Sequence, residues 1–521
     1  MEKKGANMFS KVKSCAVHGV DGRMIDVEAD VNDGLPVFTM VGYLSSSVRE
    51  SSERVRTALK NSGFHLPPKR ITINLSPADM RKDGSGYDLA IATAVLLSLG
   101  VTAELPMEQT LVLGELSLDG SIKAIPGVLP MVICAREEGM TSCIVPKENV
   151  QEAALVQGIS VIGVSSLKET MEYIQGIKEY ENTNVEQPAV DTSEYLYDID
   201  FSDVVGQESI KRGMEIAAAG FHNVLLTGAA GAGKSMLAKR LPTILPQMSF
   251  EESLEVTKIY SVGGMLPPEG GLIHRRPFRA PHHTISEYAL IGGGRVPTPG
   301  EVSFAHYGVL FLDELPEFSK PVLEVLRQPL EDRRIRISRV QASYEFPADF
   351  MFVAAMNPCP CGNYPDYRRC SCTEQQIRRY QSKVSGPLLD RIDIRMEVKG
   401  VKQEVLFSKQ KTESSKTIRA RVEQARQMQK ERFARTGLLF NSQLDGKNLE
   451  EYITLSEEGK RLVLQLFEEQ ELSVRGVHRV LKLARTIADL AGSEEIEHAH
   501  LQEAAFYRNQ DVFAKEVLYG N

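Results

Sequence analysis

The chain has 521 residues, of which 42% are hydrophobic and 25% charged, and 61 Lys and Arg against 69 Asp and Glu give a net charge of −8. The length predicts about three domains, and the composition excludes a collagen-like or wholly disordered chain. A uniformly basic nucleic-acid coat is also excluded, although a local basic surface is not. The N-terminus has no apolar segment behind its lysines, and the longest apolar run, Leu89 to Val101, is too short to span a bilayer. We therefore expect a cytoplasmic protein with no membrane partner.

The first 180 residues alternate β-rich runs with helical stretches, which is an α/β or α+β pattern. Strands are predicted at Thr72–Leu75, Thr110–Leu113 and Cys143–Val145. Helices are predicted at Ser47–Asn61, Asp88–Leu99 and Val128–Glu138. A polar, acidic stretch over residues 181–200 then predicts a linker.

A glycine-rich loop follows the apolar run from Asn223 to Thr227 and precedes a helical stretch. Its residues are Gly228, Ala229, Ala230, Gly231, Ala232, Gly233, Lys234 and Ser235. This is the G-x-x-x-x-G-K-[ST] pattern between strand and helix, in which backbone N–H groups surround phosphates. We expect Lys234 to contact the β- and γ-phosphates of ATP, and the Ser235 hydroxyl to ligate Mg²⁺.

Two later apolar runs end in polar residues. Val309–Leu312 ends at Asp313 and Glu314, which predicts a Mg²⁺ ligand followed by a general base for the attacking water. Phe350–Met356 ends at Asn357, whose amide we expect to orient water beside the γ-phosphate. The alternative for Asn357 is a structural cap of the following turn.

Four of the seven cysteines cluster just after Asn357, in the spacing C-x-C-x8-C-x-C. They are Cys359, Cys361, Cys370 and Cys372. Four thiolates at this density favour a tetrahedral structural Zn²⁺ site. Because C-x-C is less typical of zinc sites than C-x-x-C, an iron–sulfur cluster and plain reduced cysteines stay open as alternatives.

Two inserts in the region after the linker are basic. The first, residues 259–303, holds Arg275, Arg276, Arg279 and Arg295. The second is predicted to be a hairpin of Ile335–Arg339 and Ala342–Phe346, with clustered Arg333, Arg334, Arg336 and Arg339. These loops are candidates for contacts to DNA phosphates that do not read bases. A solvated or inter-subunit salt-bridging face is the alternative.

Taken in order, the glycine-rich loop, the acidic pair and the Asn-tipped strand resemble an AAA+ ATPase core. The segments Arg276–Thr284, Ala289–Gly294 and Gly308–Phe318 are similar to the magnesium-chelatase-like branch. With the N-terminal region and the cysteine cluster, the chain resembles the YifB/ComM family. The resemblance implies an α/β fold with an AAA+ P-loop core over residues 201–398 and a helical lid domain over residues 399–521. Residues 1–180 would form a Lon-protease-like α+β domain.

The resemblance also assigns two arginines and a function. Arg391 stands in the segment of the arginine finger, and Arg475 matches sensor 2. A finger acting on a neighbour implies a ring, in such proteins usually a hexamer. The implied activity is an ATP-driven motor on branched or single-stranded DNA, with branch migration or helicase activity in recombination or natural transformation. A chelatase-type motor subunit that remodels a protein partner is the first alternative.

An ATP-dependent protease is the second alternative, and the N-terminal residues disfavour it. Lys82-Asp83-Gly84 and the segment Gly114–Gly120 resemble Lon sequences that precede the nucleophile and the base. In that register Gly86 stands at the serine position and Leu129 at the lysine position, while Ser85 is one residue early. Without a nucleophile–base pair we expect an inactive domain.

Overall fold

The computed structural model describes residues 9–178, 197–267, 271–339, 342–400, 412–469 and 473–508. Most of the predicted linker lies outside these ranges. Within them, no helix is long and apolar enough to cross a membrane.

The N-terminal unit is built on a seven-stranded sheet in the order β3-β4-β2-β1-β5-β8-β9. Its strands are β1 Phe9–His18, β2 Asp21–Asn32, β3 Phe38–Val41, β4 Arg70–Ser76, β5 Thr110–Val112, β8 Ser142–Pro146 and β9 Ser160–Val164, and a separate ribbon pairs β6 Glu115–Leu116 with β7 Ile122–Lys123. Its α-helices are Ser46–Asn61, Asp88–Ser98, Val128–Glu137, Val150–Ala153 and Leu167–Ile174.

Apolar cores lie on both faces of this sheet, because alternate residues of β5, β8 and β9 enter two different hydrophobic clusters. In β2, Ile25, Val27, Ala29 and Val31 are buried, as the two-residue period of a strand requires. Helix Asp88–Ser98 packs on β1 and β2 and is buried on nearly every side. The predicted strands and helices of this region are confirmed, and the long β1–β2 hairpin is an addition to them.

The second unit contains a parallel five-stranded sheet in the order β11-β14-β17-β10-β18. These strands are β10 Val224–Thr227, β11 Phe278–Arg279, β14 Val309–Leu312, β17 Met351–Met356 and β18 Ile394–Glu397. Two small ribbons pair β12 Gly292–Gly293 with β13 Thr298–Pro299, and β15 Arg334–Ser338 with β16 Ser343–Pro347. The helices are Glu208–Gly220, Lys234–Arg240, Phe250–Val262, Glu287–Ile291, Glu301–Phe304, Lys320–Val325, Arg327–Asp332, Glu374–Gln381 and Gly386–Leu389.

Five C-terminal helices pack on this second unit and share its hydrophobic core. They are Ser415–Phe433, Gly446–Tyr452, Glu457–Glu469, Val474–Leu490 and His498–Arg508. The rings of Phe221 and Phe440 stack with centroids 4.3 Å apart, and His222 Nε2 lies 2.8 Å from Thr486 Oγ1. Since His222 precedes β10, helix Val474–Leu490 meets the sheet at the edge where the strands begin.

The N-terminal unit contacts the second unit through helix Phe250–Val262 and the β15–β16 ribbon. Val20 joins a small buried cluster with Ile259, Phe304 and Phe346. The rings of His18 and Tyr344 stack with centroids 4.5 Å apart. Beside this contact the two units enclose an open cavity of about 750 Å³.

Candidate functional site

The glycine-rich loop connects the end of β10 to helix Lys234–Arg240. All four residues of β10 are buried, so the loop emerges from the centre of the sheet. Gly231 and Gly233 have φ of 76° and 95°, which residues with a side chain rarely adopt. A Cβ on Gly228 would lie 2.2 Å from the Val398 carbonyl oxygen. The loop conformation therefore requires glycine at these positions.

The Lys234 ammonium is folded back onto its own loop. Its Nζ donates to the carbonyl oxygens of Gly228 at 2.7 Å and Ala229 at 2.9 Å, and to Asn357 Oδ1 at 3.0 Å. Burial lowers the pKa of Lys234, against the attraction of Asp313 and Glu314. The structure thus brings the predicted phosphate-binding lysine and the predicted Asn357 into direct contact.

The acidic pair lies on the other side of the same site. Ser235 Oγ donates to Asp313 Oδ2 at 2.5 Å, which joins the two predicted Mg²⁺ ligands. Asp313 Oδ1 accepts a hydrogen bond from the Glu314 backbone N–H at 2.9 Å. Glu314 has φ of 52°, and its carboxylate is exposed. A site with a paired hydroxyl and carboxylate beside a free carboxylate suits a magnesium ion and an activated water.

One contact of Glu314 was not predicted. His283 Nδ1 lies 3.7 Å from Glu314 Oε2, and the ring of His283 packs against His282 and, edge-on, against Phe318. From the sequence alone, the adjacent His282 and His283 are interpreted as structural residues of the first insert. No spacing rule connects His283 to Glu314, because they meet only through the packing of the insert.

The four clustered cysteines converge as a metal site requires. Their Sγ atoms all lie within 4.8 Å of one another, with Cys359 at 3.4 Å from Cys361 and 3.8 Å from Cys370. Tetrahedral zinc with Zn–S bonds of about 2.3 Å places its sulfurs about 3.8 Å apart, so the set fits zinc.

This cysteine loop borders the glycine-rich loop. A Cβ on Gly362 would lie 3.3 Å from the Ala230 nitrogen and 3.9 Å from Asn357 Cγ. The Gln381 amide donates to the Pro358 carbonyl oxygen at 2.9 Å and holds the start of the loop to helix Glu374–Gln381. A metal in the cysteine cluster would therefore fix one wall of the nucleotide site.

The two predicted arginines lie together, away from their own P-loop. The Asn223 side chain donates to the Arg391 carbonyl oxygen at 2.9 Å. Asn223 precedes β10 and the P-loop follows it, and four residues at about 3.3 Å each separate the two edges by about 13 Å. Arg391 pairs with Glu331, and Arg475 Nη2 lies 4.0 Å from the same carboxylate. Both arginines thus lie at the sheet edge opposite the P-loop.

The basic hairpin has its arginines on one face. In β15, Arg334 and Arg336 are exposed, whereas Ile335 is buried. Both exposed guanidiniums pair with Glu345 on β16, at 2.9 and 3.1 Å. The sequence did not predict this partner, although antiparallel pairing of β15 with β16 places it opposite Arg336.

The other predicted arginines are separated from this face. Arg333 approaches Asp349 at 3.7 Å, and Arg339 donates to the Gly294 carbonyl oxygen at 3.0 Å. In the first insert, Arg276 is buried against Glu252, and Arg279 pairs with Glu301. Arg276 and Arg279 are therefore paired within this chain, which matches neither the predicted DNA contact nor the alternative of a solvated or inter-subunit salt-bridging face.

The protease-like positions of the N-terminal unit hold no nucleophile–base pair. Leu129 is fully buried, and a Cβ on Gly86 would lie 3.0 Å from Ile125 Cδ1. Ser85 Oγ donates to Glu115 rather than to a lysine. The Lys82 ammonium donates to main-chain carbonyls, including that of Met80 at 2.9 Å.

A P-loop at the end of a central strand, in a parallel sheet whose neighbouring strands deliver an acidic pair and an asparagine, defines a protein of the AAA+ type. Family models agree with this class. "Magnesium chelatase, subunit ChlI" matches residues 200–406, "Subunit ChlI of Mg-chelatase" matches residues 27–149, and the ChlI C-terminal model matches residues 412–508.

Full-length relatives are more specific. An uncharacterized protein of Mycobacterium tuberculosis is 43% identical over 92% of this chain and 94% of its own. Uncharacterized protein YifB of Escherichia coli is 41% identical over 96% of this chain and 97% of its own. Competence protein ComM of Haemophilus influenzae is 40% identical over 95% of this chain and 97% of its own. The chain belongs to the YifB/ComM family of magnesium-chelatase-like AAA+ proteins. Lon protease 2 of Bacillus subtilis is also similar, at 30% identity over 31% of this chain.

Proposed function

We propose that this protein is an ATP-hydrolysing ring motor that acts on branched or single-stranded DNA, with branch migration or helicase activity. The observation that carries the ATPase part is the meeting of Lys234, Ser235, Asp313 and Asn357 at one end of the sheet. The family relationship carries the rest, because one relative is named a competence protein. Recombination during natural transformation is the pathway that this name favours.

Each group at the site has a role in hydrolysis. Lys234 exchanges its internal acceptors for the β- and γ-phosphates, and the loop N–H groups complete the cradle. Ser235 and Asp313 hold Mg²⁺, which neutralises phosphate charge when it is bound. Glu314 accepts a proton from the attacking water, and Asn357 orients that water.

The position of the arginines supports a ring. The segments that carry Arg391 and Arg475 lie near the edge where the strands begin, and the four residues of β10 separate that edge from the P-loop by about 13 Å. A guanidinium there can stabilise transition-state charge only on ATP that belongs to another subunit. Assembly, as a hexamer in this proposal, thus completes the catalytic site.

The hairpin arginines Arg334, Arg336 and Arg339, with Arg333 at their base, are the proposed DNA contacts. Arg334 and Arg336 are exposed on one face of a ribbon, which suits contacts to successive phosphates. A ring would repeat this short basic face and strengthen a weak contact through multivalency. The net charge of −8 confines DNA to such local surfaces.

A chelatase-type motor that remodels a protein partner is the second candidate, because ChlI models match three segments of the chain. Proteolysis has no comparable support, since Ser85 contacts Glu115 and Leu129 occupies the base position. The N-terminal unit is instead proposed as a non-proteolytic scaffold. A cytoplasmic location fits the zinc proposal, because reducing conditions preserve thiolates.

The deciding experiment measures ATP turnover of the purified protein alone, with four-way or forked DNA, and with unfolded protein. Stimulation by branched DNA, together with strand displacement, supports the DNA motor. Turnover that DNA leaves unchanged contradicts it and favours the chelatase-type candidate. Cleavage of the unfolded protein that disappears in Ser85→Ala would restore the protease alternative.

A further inference from the structure

A single carboxylate lies between the two arginines proposed to act on a neighbouring subunit. Glu331, in helix Arg327–Asp332, pairs with the Nη2 of Arg391 through one oxygen. Its other oxygen lies 4.0 Å from Arg475 Nη2. Arg391 and Arg475 are 84 residues apart in the sequence, so only the fold brings them to one acceptor.

A buried ion pair fixes the backbones that carry these arginines. Asp393, two residues after Arg391, pairs with Arg479, one helical turn after Arg475. The Asn223 backbone N–H donates to Asp393 Oδ2 at 3.0 Å. Asp393 is 3% exposed, and a buried pair of this kind holds its elements in one register. The loop of Arg391 and the helix of Arg475 are therefore joined, which leaves only the direction of their side chains to be set.

The direction of the Arg391 side chain depends on Glu331. Its Nη1 donates to the Pro387 carbonyl oxygen at 2.7 Å, and its Nη2 to Glu331. Its Nε is buried and has no hydrogen-bond partner among the described residues. The Nη1 and Nη2 contacts hold the guanidinium plane, and each of these two nitrogens carries a second N–H for an incoming anion.

We propose that Glu331 is a positioning residue that aligns Arg391 and Arg475 for the ATP of the neighbouring subunit. This inference rests on the proposed function, in which the two arginines act in trans. Because both guanidiniums approach the same carboxylate, their positive charges repel each other, and the negative charge of Glu331 offsets that repulsion. One net positive charge remains at the edge and faces the neighbour's triphosphate.

A surface ion pair without function is the competing explanation, because such pairs typically contribute little to stability. Glu331→Gln keeps the shape and removes the charge that both arginines share. Glu457→Gln is the matched control, since Glu457 makes a surface pair with Lys460 at 2.7 Å in a C-terminal helix. Both variants are made in the full chain, and ring assembly is followed by light scattering.

ATP turnover then separates alignment from binding. We expect Glu331→Gln to assemble and to lower kcat by about tenfold or more, because misplaced catalytic groups cost this much, with KM changed by less than about twofold. Glu331→Asp, which keeps the charge, should recover part of kcat.

Two results would overturn the inference: a kcat of Glu331→Gln equal to that of Glu457→Gln, or loss of assembly in Glu331→Gln. Failure of the proposed function looks different. If Arg391→Ala alone hydrolyses ATP like the wild type, the trans site itself is wrong. If Arg391→Ala is inactive and Glu331→Gln is active, only the role of Glu331 fails.

Discussion

At the nucleotide site, Lys234 and Ser235 already have protein partners that a bound nucleotide and its metal must replace. Lys234 donates to two loop carbonyls and to Asn357, and Ser235 donates to Asp313. Internal partners of this kind satisfy the hydrogen-bonding capacity of a buried charge and of a hydroxyl. Nucleotide binding is therefore an exchange of hydrogen bonds, and each residue affects a different step of the cycle.

The first prediction separates binding from cleavage. Lys234→Ala should abolish ATP binding, because the only buried cation of the loop is removed. Glu314→Gln should still bind ATP and should lower turnover by about 10²-fold or more, the usual contribution of a general base. Nucleotide binding by fluorescence and turnover by phosphate release measure the two steps. Normal hydrolysis by Glu314→Gln would show that another group is the base.

The second prediction concerns Glu345, whose carboxylate pairs with both exposed arginines of the hairpin. Glu345→Gln should tighten binding to forked DNA and steepen its salt dependence, because two guanidiniums become available to phosphates. Arg334→Ala with Arg336→Ala should have the opposite effect and remove DNA-stimulated turnover and strand displacement. Binding titrations between about 50 and 200 mM salt test both.

Arg56→Ala is the control for the hairpin variants, since Arg56 is an exposed, ion-paired arginine of the N-terminal unit. It should leave DNA binding unchanged. Unaltered binding in both hairpin variants would mean that DNA contacts the ring elsewhere, and a role in remodelling proteins would then be preferred.

Between elements, the buried ion pair of Asp393 connects the sheet to the C-terminal helices. Burial opposes the charge of Asp393, but Arg479 and His222 outweigh it and hold the pKa of that carboxyl far below its ordinary value of 3.8. A carboxyl whose pKa is lower in the folded state than in the unfolded state stabilises the fold at pH values above its unfolded pKa. This stabilisation is lost as the pH falls below that value.

The third prediction follows from this pair. Asp393→Asn should lower the free energy of unfolding at pH 7 by about 1.5–3 kcal/mol, because the partly buried Arg479 loses its charged hydrogen-bond partner. The difference in unfolding free energy between the variant and the wild type should shrink as the pH falls below about 3.8, because the stabilisation by the wild-type carboxylate is lost there. Urea unfolding at several pH values measures it, with Glu457→Gln as the control. An equal loss at every pH would assign the effect to packing instead of charge.

The fourth prediction concerns the cysteine loop. Purified protein should carry about one zinc ion per chain, as a four-thiolate site does, and Cys370→Ser should lose it. Because Gly362 packs against Ala230, metal loss should also weaken ATP binding. Elemental analysis and nucleotide titration test this, with Cys134→Ser, outside the cluster, as the control. Iron in place of zinc, or unchanged ATP affinity after metal removal, would contradict it.

The strands around the glycine-rich loop and the cysteine loop could be predicted from the sequence, because each depends on a pattern of residues close together in the chain. β10, β14 and β17 are short apolar runs with polar ends, and the cysteine spacing brings four thiols together without help from distant residues. The β1–β2 hairpin is also encoded locally, because the alternation of Ile25, Val27 and Ala29 is typical of a strand. The contacts of Glu331, His283 and Glu345 depend on tertiary packing, which periodicity does not encode.

At the scale of the whole molecule, the nucleotide site and the arginines lie on opposite edges of one sheet. In the proposed ring, a single chain holds half of each of two sites. A closed arrangement of head-to-tail interfaces would complete every site.

The fifth prediction tests this arrangement by mixing inactive subunits. Arg391→Ala and Lys234→Ala chains each retain the half that the other lacks. In an equal mixture with random assembly, about a quarter of the interfaces should combine both intact halves and recover that share of wild-type turnover. Each variant alone should be inactive. Absence of recovery in mixed rings would show that Arg391 serves its own chain.

The contact at Gly19 limits how the hairpin can move during the ATP cycle. Gly19 has φ of 69°, and a Cβ there would lie 2.8 Å from the Glu345 carbonyl oxygen, so the β15–β16 ribbon lies directly on the backbone of the β1–β2 turn. A backbone contact this close does not lengthen gradually, because tightly packed surfaces adopt discrete arrangements. In the proposed motor, a movement of the ribbon must either carry the N-terminal unit with it as one rigid body or break this contact completely.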